Sequence, residues 1–430
     1  MRQPMKTGET LELLRSYESR NVLYTEPDGS WPIVWERAQG VQVWDAEGKK
    51  YLDLTAAFGV AAAGHANPAV VRAGQAQMAR LLHAMGDVHP HAPKALLARE
   101  LSRLTFERWQ RKTGKVIFGN SGFEAVEAAL KTARLATGRK GIIAFEGGYH
   151  GLGYGALNAT HGDHFRKPFK NQLGEFGHFV PFPKTEADLA TLAVQMRRLA
   201  RRERIGAVLV EPIQARGGIR IPPVEFLPFL SRWCEEQGAL LILDEIYTGF
   251  GRTGKWFACE YSGVTPDLIC LGKALTGGFP LSACVGWAGL MDAAWPASQG
   301  EAIHTSTFLG HPVGCAMALA QLGELRRLKL PERSAELGEY LLLLLGAELR
   351  NVKLNLEIRG LGLMAGVELR RPDGRPAVTE ALHTVKAMLQ RGYILLPEGE
   401  HGNVIGLTPP LTISKAQLKA VVRALAEVWL

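Results

Sequence analysis

At 430 residues the chain is too long for one simple hydrophobic core, and two or three domains are expected. Its residues are 47% hydrophobic and 21% charged, ordinary for a soluble globular protein. The net charge of +8, from 50 basic against 42 acidic residues, does not single out a nucleic-acid binder. Much of the excess gathers in one helical stretch, Arg197, Arg198, Arg201, Arg202 and Arg204. No aromatics interleave there and no nucleic-acid module accompanies it, so it reads as a solvated helix face.

The five cysteines, Cys234, Cys259, Cys270, Cys284 and Cys315, are odd in number, include no CxxC pair and mostly lie in apolar surroundings. That pattern argues for buried, reduced thiols rather than a disulfide framework. No stretch approaches the roughly 20 apolar residues of a membrane span. The longest such run, Leu341 to Leu345, lies between Glu339 and Glu348 and is expected to be a buried helix. The N-terminus lacks a basic-then-apolar signal pattern, and a cytoplasmic protein is expected.

In chain order, Pro32 and the polar turn Asp45-Ala46-Glu47-Gly48, set among short strand-like runs, predict a small β-rich lead-in. From about Leu54 the chain becomes rich in Gly and Ala, and short apolar runs alternate with helical periodicity. Val116-Ile117-Phe118 precedes a helix from Phe123 to about Ala136, stopped at Gly138. Ile142 to Phe145 runs into a glycine-rich turn, and Ala207 to Val210 leads through a loop to a helix ending near Gln237-Gly238. Leu240 to Leu243 and Leu268 to Leu271 follow. Such runs between amphipathic helices indicate an α/β fold with a parallel sheet covered on both faces. From about Leu322 the pattern becomes a helix, a strand-like Gly362 to Leu369, a further helix and a strand-like Val404 to Leu407. The expected division is a large domain over 55–321 and a smaller one built from 1–54 and 322–430. No internal repeat or low-complexity tract is present.

In an open parallel sheet, ligands collect beyond the carboxyl ends of the strands. Three apolar runs end there in charge: Glu211 after Val208-Leu209-Val210, Asp244 after Leu241-Ile242-Leu243, and Lys273 just after Leu271-Gly272. Taken singly, such an acid often caps the next helix and such a lysine points to water. Together they suit pyridoxal 5′-phosphate (PLP). Its chemistry needs an amine that forms an imine with the aldehyde and later shuttles a proton, and a carboxylate that keeps the pyridine nitrogen protonated. Lys273 and Asp244 fill those roles, and Gly272, Gly277 and Gly278 let backbone approach a flat ligand. Asn120-Ser121-Gly122-Phe123-Glu124 follows a strand and opens a helix whose free N–H groups suit a phosphate. Ser121-x-x-Glu124 is equally a capping box. In Gly147-Gly148-Tyr149-His150-Gly151 the aromatic ring either stacks on a planar cofactor or fills the core at a turn. His83, His89 and His91 cluster, but Pro90 and Pro93 break the helix that would align them, and no metal site is expected.

Taken together these residues resemble the class III, or omega, aminotransferases of PLP fold type I, over about residues 30–415. Leu243-Asp244-Glu245-Ile246-Tyr247-Thr248-Gly249-Phe250-Gly251-Arg252-Thr253-Gly254 resembles the family's central signature. Pro266-Asp267-Leu268 and Leu271-Gly272-Lys273-Ala274-Leu275-Thr276-Gly277-Gly278 follow in the family's order. The resemblance implies a large domain with a mostly parallel seven-stranded sheet flanked by helices, plus a smaller α+β domain from both chain ends. It implies Lys273 as the Schiff-base lysine and Asp244 as the partner of the pyridine nitrogen. Ile246 and Tyr149 would pack on the two ring faces, and Gln214, in Glu211-Pro212-Ile213-Gln214, would reach the phenolic oxygen. Ser121, Gly122 and Phe123 would hold the phosphate. Ser306-Thr307-Phe308 resembles the phosphate-binding segment that a second subunit donates, which implies a homodimer with shared sites. The implied reaction is a ping-pong transfer from an amine donor, through pyridoxamine phosphate, to an oxo acid.

The chain departs from the family at two positions. Many members carry a glutamate two residues after the Glu-Pro-x-Gln glutamine, ion-paired with an arginine just before the C-terminal Pro-Pro-Leu that grips 2-oxoglutarate. Here Arg216 and Gly406 stand at those places. Losing both partners together is physically sensible, because one buried charge left alone is costly. Arg216 is then expected to take over as the substrate carboxylate clamp through its guanidinium fork. The alternative turns it towards solvent or a partner subunit. A small oxo acid such as pyruvate is the expected acceptor, with a primary amine or ω-amino acid as donor. Phe58, Val60, Ala61 and Met85 are the candidate substrate-pocket residues. Competing readings are a PLP racemase, aminomutase or lyase, which the cofactor residues do not separate, and a non-catalytic binding protein. The intact Lys273, Asp244 and Tyr149 argue against the last.

Overall fold

The structure is a computed structural model and describes residues 5–26, 29–110, 112–352 and 354–429. The outermost residues of the expected smaller domain, 1–4 and 430, lie outside the described residues.

Seven strands form the central sheet, in the spatial order Gly114–Gly119, Ser282–Trp287, Leu268–Leu271, Leu240–Asp244, Ile205–Val210, Gly141–Phe145 and Gly177–Val180. The four pairings from Leu268–Leu271 to Gly177–Val180 are parallel, and Ser282–Trp287 runs antiparallel to both neighbours. Gly141–Phe145, Ile205–Val210 and Leu268–Leu271 are buried at every position, which is why they read as unbroken apolar runs. Alternate residues enter two cores. Ile143, Val208, Leu241 and Ile269 pack with Phe226 and Leu230 of the helix Phe226–Gln237. Ile142, Leu209, Ile242 and Cys270 pack with Val126 and Ala129 of the helix Gly122–Thr137. That helix ends at Gly138, whose φ of 64° is the left-handed cap a glycine adopts without strain. All five cysteines are buried and free.

Two four-stranded sheets flank this body. One joins Trp35–Gln39, Gln42–Asp45 and Lys50–Asp53 to Tyr393–Ile394, so that both halves of the chain share it. The other orders Asn355–Gly360, Ala365–Arg370, Val404–Leu407 and Leu396–Glu398. Two expectations need correction here. The run 362–369 is not one strand: Gly362, at φ 57°, turns the chain between two antiparallel strands. A Cβ on that glycine would stand 2.4 Å from the Thr253 carbonyl carbon, so the turn also packs against the central signature. The helix Leu330–Glu348 carries the Leu341–Leu345 run, and it is amphipathic rather than wholly buried. Leu341 and Leu345 are enclosed one turn apart, and Leu343 on the opposite side is 76% exposed. Among the described residues no helix is long and apolar enough to cross a membrane.

Candidate active site

Parallel register sets out the charges. Val210 pairs with Leu243 and Asp244 with Cys270, so Glu211, Asp244 and Lys273 leave three adjacent strands at one edge. A cavity of about 730 Å³ opens there, with all three on its wall. The helix Gly122–Thr137 brings Gly122 and Phe123 to it, and the loop after Gly141–Phe145 brings Tyr149 and His150. Phe58 and Glu398 reach it from outside the central sheet. Phe58 belongs to three consecutive residues at positive φ, Ala56 to Phe58, a conformation that costs a residue with a Cβ about 1 kcal/mol or more. Asp53 holds that segment by accepting the Thr55 and Ala57 N–H groups at 2.8 and 3.1 Å.

Lys273 also sits at positive φ, 41°, and its Nζ lies 4.6 Å from the Tyr247 ring centroid. Burial lowers its basicity, and Arg216 lowers it further, against the opposing pull of Asp244, Glu211 and Glu398. More of the amine is therefore free base near neutral pH than on an exposed lysine, as a nucleophile requires. Asp244 is buried, its Oδ2 stands 2.8 Å from His150 Nδ1, and its Oδ1 accepts the Ile246 N–H at 3.1 Å. The His150 N–H donates to Thr160 Oγ1 at 2.9 Å, and that hydroxyl donates to Gly151 O at 2.8 Å, which fixes the loop. Glu211 accepts the N–H groups of Tyr149 and Ala215 at 3.0 and 3.1 Å. Burial pushes its carboxyl up to about 7, with Asp244 adding to the rise and His150 and the two N–H groups opposing it. Burial likewise pushes Glu398 up to about 7, against Arg216 and Lys273.

The donor set fits PLP. Ser121 opens a 16-residue helix in a capping box: its buried Oγ faces the Glu124 N–H without a hydrogen bond of good geometry and keeps its own proton free, while Glu124 accepts the N–H groups of Ser121, at 2.9 Å, and Asn120. A free hydroxyl beside unpaired N–H groups suits a phosphate. A Cβ at Gly122 would stand 3.1 Å from Ile246 Cδ1, so the glycine leaves Ile246 its place on the cavity wall.

The structure does not bring every predicted residue to this cavity. Gln214 is not on its wall: Nε2 donates to Glu146 O at 2.8 Å, and Oε1 is buried without a partner among loop glycines. Added Cβ atoms at Gly147 and Gly217 would stand 2.9 and 2.7 Å from that oxygen. Ser306, Thr307 and Phe308 are exposed and line no part of this chain's cavity; Phe308 lies 5.2 Å from the His83 ring. Of the substrate candidates Phe58 lines the cavity, whereas Val60, Ala61 and Met85 do not. Arg216 does line it, with Cζ 4.9 Å from the Tyr149 ring centroid. Several cavity residues carried no assigned part in the sequence, among them His150, Tyr247 and Glu398. His150 and Tyr247 sat inside motifs already singled out, and Glu398 had no signal at all.

Fold and donor set together define a PLP enzyme of fold type I. Residues 23–429 match the family model described as aminotransferase class-III. Acetylornithine aminotransferase of Methanosarcina acetivorans is 38% identical over 411 residues, 95% of this chain and 94% of that one. Putrescine aminotransferase of Pectobacterium atrosepticum is 37% identical over 410 residues, 93% of this chain and 83% of that one. The solved PLP-bound structure of an amine transaminase from an uncultivated Pseudomonas species matches with a TM-score of 0.87 at 29% identity. That match covers 96% of this chain and 98% of the other. The chain belongs to the class III aminotransferase family, whose members use PLP.

Proposed function

We propose that the enzyme moves an amino group from a primary amine or ω-amino acid to a small oxo acid such as pyruvate, with Arg216 gripping the oxo acid's carboxylate. The observation that carries this reading is the placement of Arg216. Its guanidinium lines the cavity that holds Lys273 and Asp244, and its side chain makes no hydrogen bond or ion pair with another described residue. Among the described residues no other arginine lines the cavity, and Gly406 supplies none. Two N–H donors on a planar fork match a carboxylate.

PLP, when bound, supplies an aldehyde that takes up an amine and a protonated ring that draws electrons from the bond being broken. Ser121, Gly122 and Phe123 bind the phosphate at the helix start. Tyr149 and Ile246 flank the ring, and Glu211 fixes Tyr149 through its backbone N–H. Asp244 holds the proton on the ring nitrogen, and His150 keeps that carboxylate oriented. Lys273 Nζ would hold the cofactor in the resting enzyme and would carry the proton between the donor's reacting carbon and the cofactor's C4′ carbon. Ser306, Thr307 and Phe308, exposed here, would complete the neighbouring site in a homodimer. The large body over 55–321 and the smaller one from 1–54 and 322–430 then close on the cavity from two sides.

The test is the KM for pyruvate in Arg216→Ala. Loss of a charged hydrogen-bond pair costs about 1.5–3 kcal/mol, which raises KM about 10- to 150-fold. Arg216→Lys recovers part of it, because the charge remains and the fork does not. An unchanged KM in Arg216→Ala removes the clamp.

A further inference from the structure

The cavity wall presents two side chains of opposite charge that the protein does not pair. Arg216 lies over Tyr149, and Glu398 faces the same space from the strand Leu396–Glu398. Neither side chain makes a hydrogen bond or ion pair with another described residue. Their backbones are nonetheless joined. The Gly399 N–H donates to Arg216 O at 2.9 Å, and a Cβ at Gly218 would stand 3.2 Å from Gly399 Cα. Both charges hang from one rigid junction and do not close on each other.

Gly406 accounts for how Glu398 reaches the cavity. Leu396 pairs with Gly406 and Glu398 with Val404 in neighbouring antiparallel strands. A Cβ at Gly406 would stand 3.2 Å from Glu398 Cγ, closer than ordinary van der Waals contact, so a larger residue there would push the Glu398 side chain by a few tenths of an ångström. Gly406, at the place where the resemblance implies an arginine in many family members, thus leaves space beside the acid. Burial drives that acid towards its neutral form, with Glu211 adding to the effect, even though Arg216 and Lys273 pull the other way. A partly buried carboxyl with no protein donor lacks a cation or a hydrogen-bond donor, and a ligand that brings neither leaves it unsatisfied.

We propose that Glu398 is a specificity-determining residue that binds a second ammonium group on the amine donor, selecting diamines and diamino acids over monoamines. This rests on the cavity being the amino-transfer site. An ammonium donates to the carboxylate through charge-assisted hydrogen bonds, whereas the methyl end of a monoamine of the same length offers none. Arg216 then separates the two sources of that chemistry: the carboxylate of a diamino acid engages it, and a plain diamine does not.

The experiment uses the holoenzyme, pyruvate as acceptor, and three donors: butane-1,4-diamine, 2,5-diaminopentanoic acid and butylamine. Glu398→Gln should raise KM for the diamine and the diamino acid about 10-fold or more relative to its effect on KM for butylamine. Gly406→Ala, which crowds the same side chain, should act in the same direction. Arg216→Ala should raise KM for the diamino acid and not for the diamine. Calorimetric binding of N,N,N′,N′-tetramethylbutane-1,4-diamine, which cannot react, should weaken about 10-fold or more in Glu398→Gln, giving a readout independent of turnover. Equal losses for diamine and butylamine, or no preference for the diamine in the unmodified enzyme, overturn the proposal. So does a rise in pyruvate KM without a change in donor selectivity, which would make Glu398 a counter-charge for Arg216 alone. If no donor is turned over, the functional reading fails, and the calorimetric comparison still decides for or against Glu398.

Discussion

Replacing His150 probes the link that orients the central carboxylate. The ring and Asp244 are both buried, and Nδ1 stands 2.8 Å from Oδ2. His150→Ala leaves Asp244 with the Ile246 N–H at 3.1 Å as its remaining donor. A hydrogen bond to a charged group contributes about 1.5–3 kcal/mol. If Asp244 holds the pyridine nitrogen, that energy is withdrawn from cofactor binding, and the Kd for PLP rises about 10- to 150-fold. Titration of the apo-enzyme with PLP, followed by the visible absorption of the bound cofactor, measures this directly. His150→Asn retains a side-chain donor and should recover part of the affinity. Thermal melting of each apo-variant separates weaker cofactor binding from a general loss of fold. A Kd in His150→Ala within about twofold of the unmodified enzyme would refute the positioning of Asp244 by His150, since it corresponds to less than about 0.5 kcal/mol.

Other expectations concern stability. The Glu211 carboxyl titrates at about 7 in the folded chain against an ordinary 4.5, so folding favours its protonated form. Its contribution is present below pH 4.5 and is lost as pH rises through about 7. The apo-protein should therefore lose melting temperature across that window, and Glu211→Gln, which cannot ionise, should flatten part of the loss; equal slopes would contradict the shift. Arg252 is buried within the central signature and donates from Nη1 to Leu363 O at 2.9 Å and Pro409 O at 2.5 Å. Arg252→Met strands both carbonyls at about 1–3 kcal/mol each, and denaturant unfolding should show a loss of about 2–6 kcal/mol. A loss under about 0.5 kcal/mol would show that water replaces the guanidinium without cost.

Much of the central sheet was legible because it is buried on both faces. Ile205–Val210 and Leu268–Leu271 have no exposed position, so their apolar runs have no alternation to obscure them. The charged residues that follow such runs were legible for a related reason, since Glu211 and Asp244 each come where the apolar run ends while the chain stays buried. Gly177–Val180 escaped notice because it is short and mostly half-buried, and Ser282–Trp287 because a small-residue strand, read alone, has little β signature. The hairpin at 361–364 was hidden by alternating Gly and Leu, which suits a strand or a turn equally. Gln214 shows a different limit. Its motif fixes its place along the chain, and the side chain's direction is decided by packing against Gly147 and Gly217. Glu398 lay beyond reach because its strand is three residues long, contains Pro397 and is placed only by pairing with Val404–Leu407.

Which amine holds the cofactor is read most directly by borohydride reduction of the PLP-loaded enzyme, followed by proteolysis and mass spectrometry. The peptide containing Gly272-Lys273-Ala274 should carry the added phosphopyridoxyl mass, and Lys273→Ala should carry it nowhere. The same mass on another lysine, such as Lys94, or on none, would contradict the meeting of Lys273 and Asp244 around one pyridine ring.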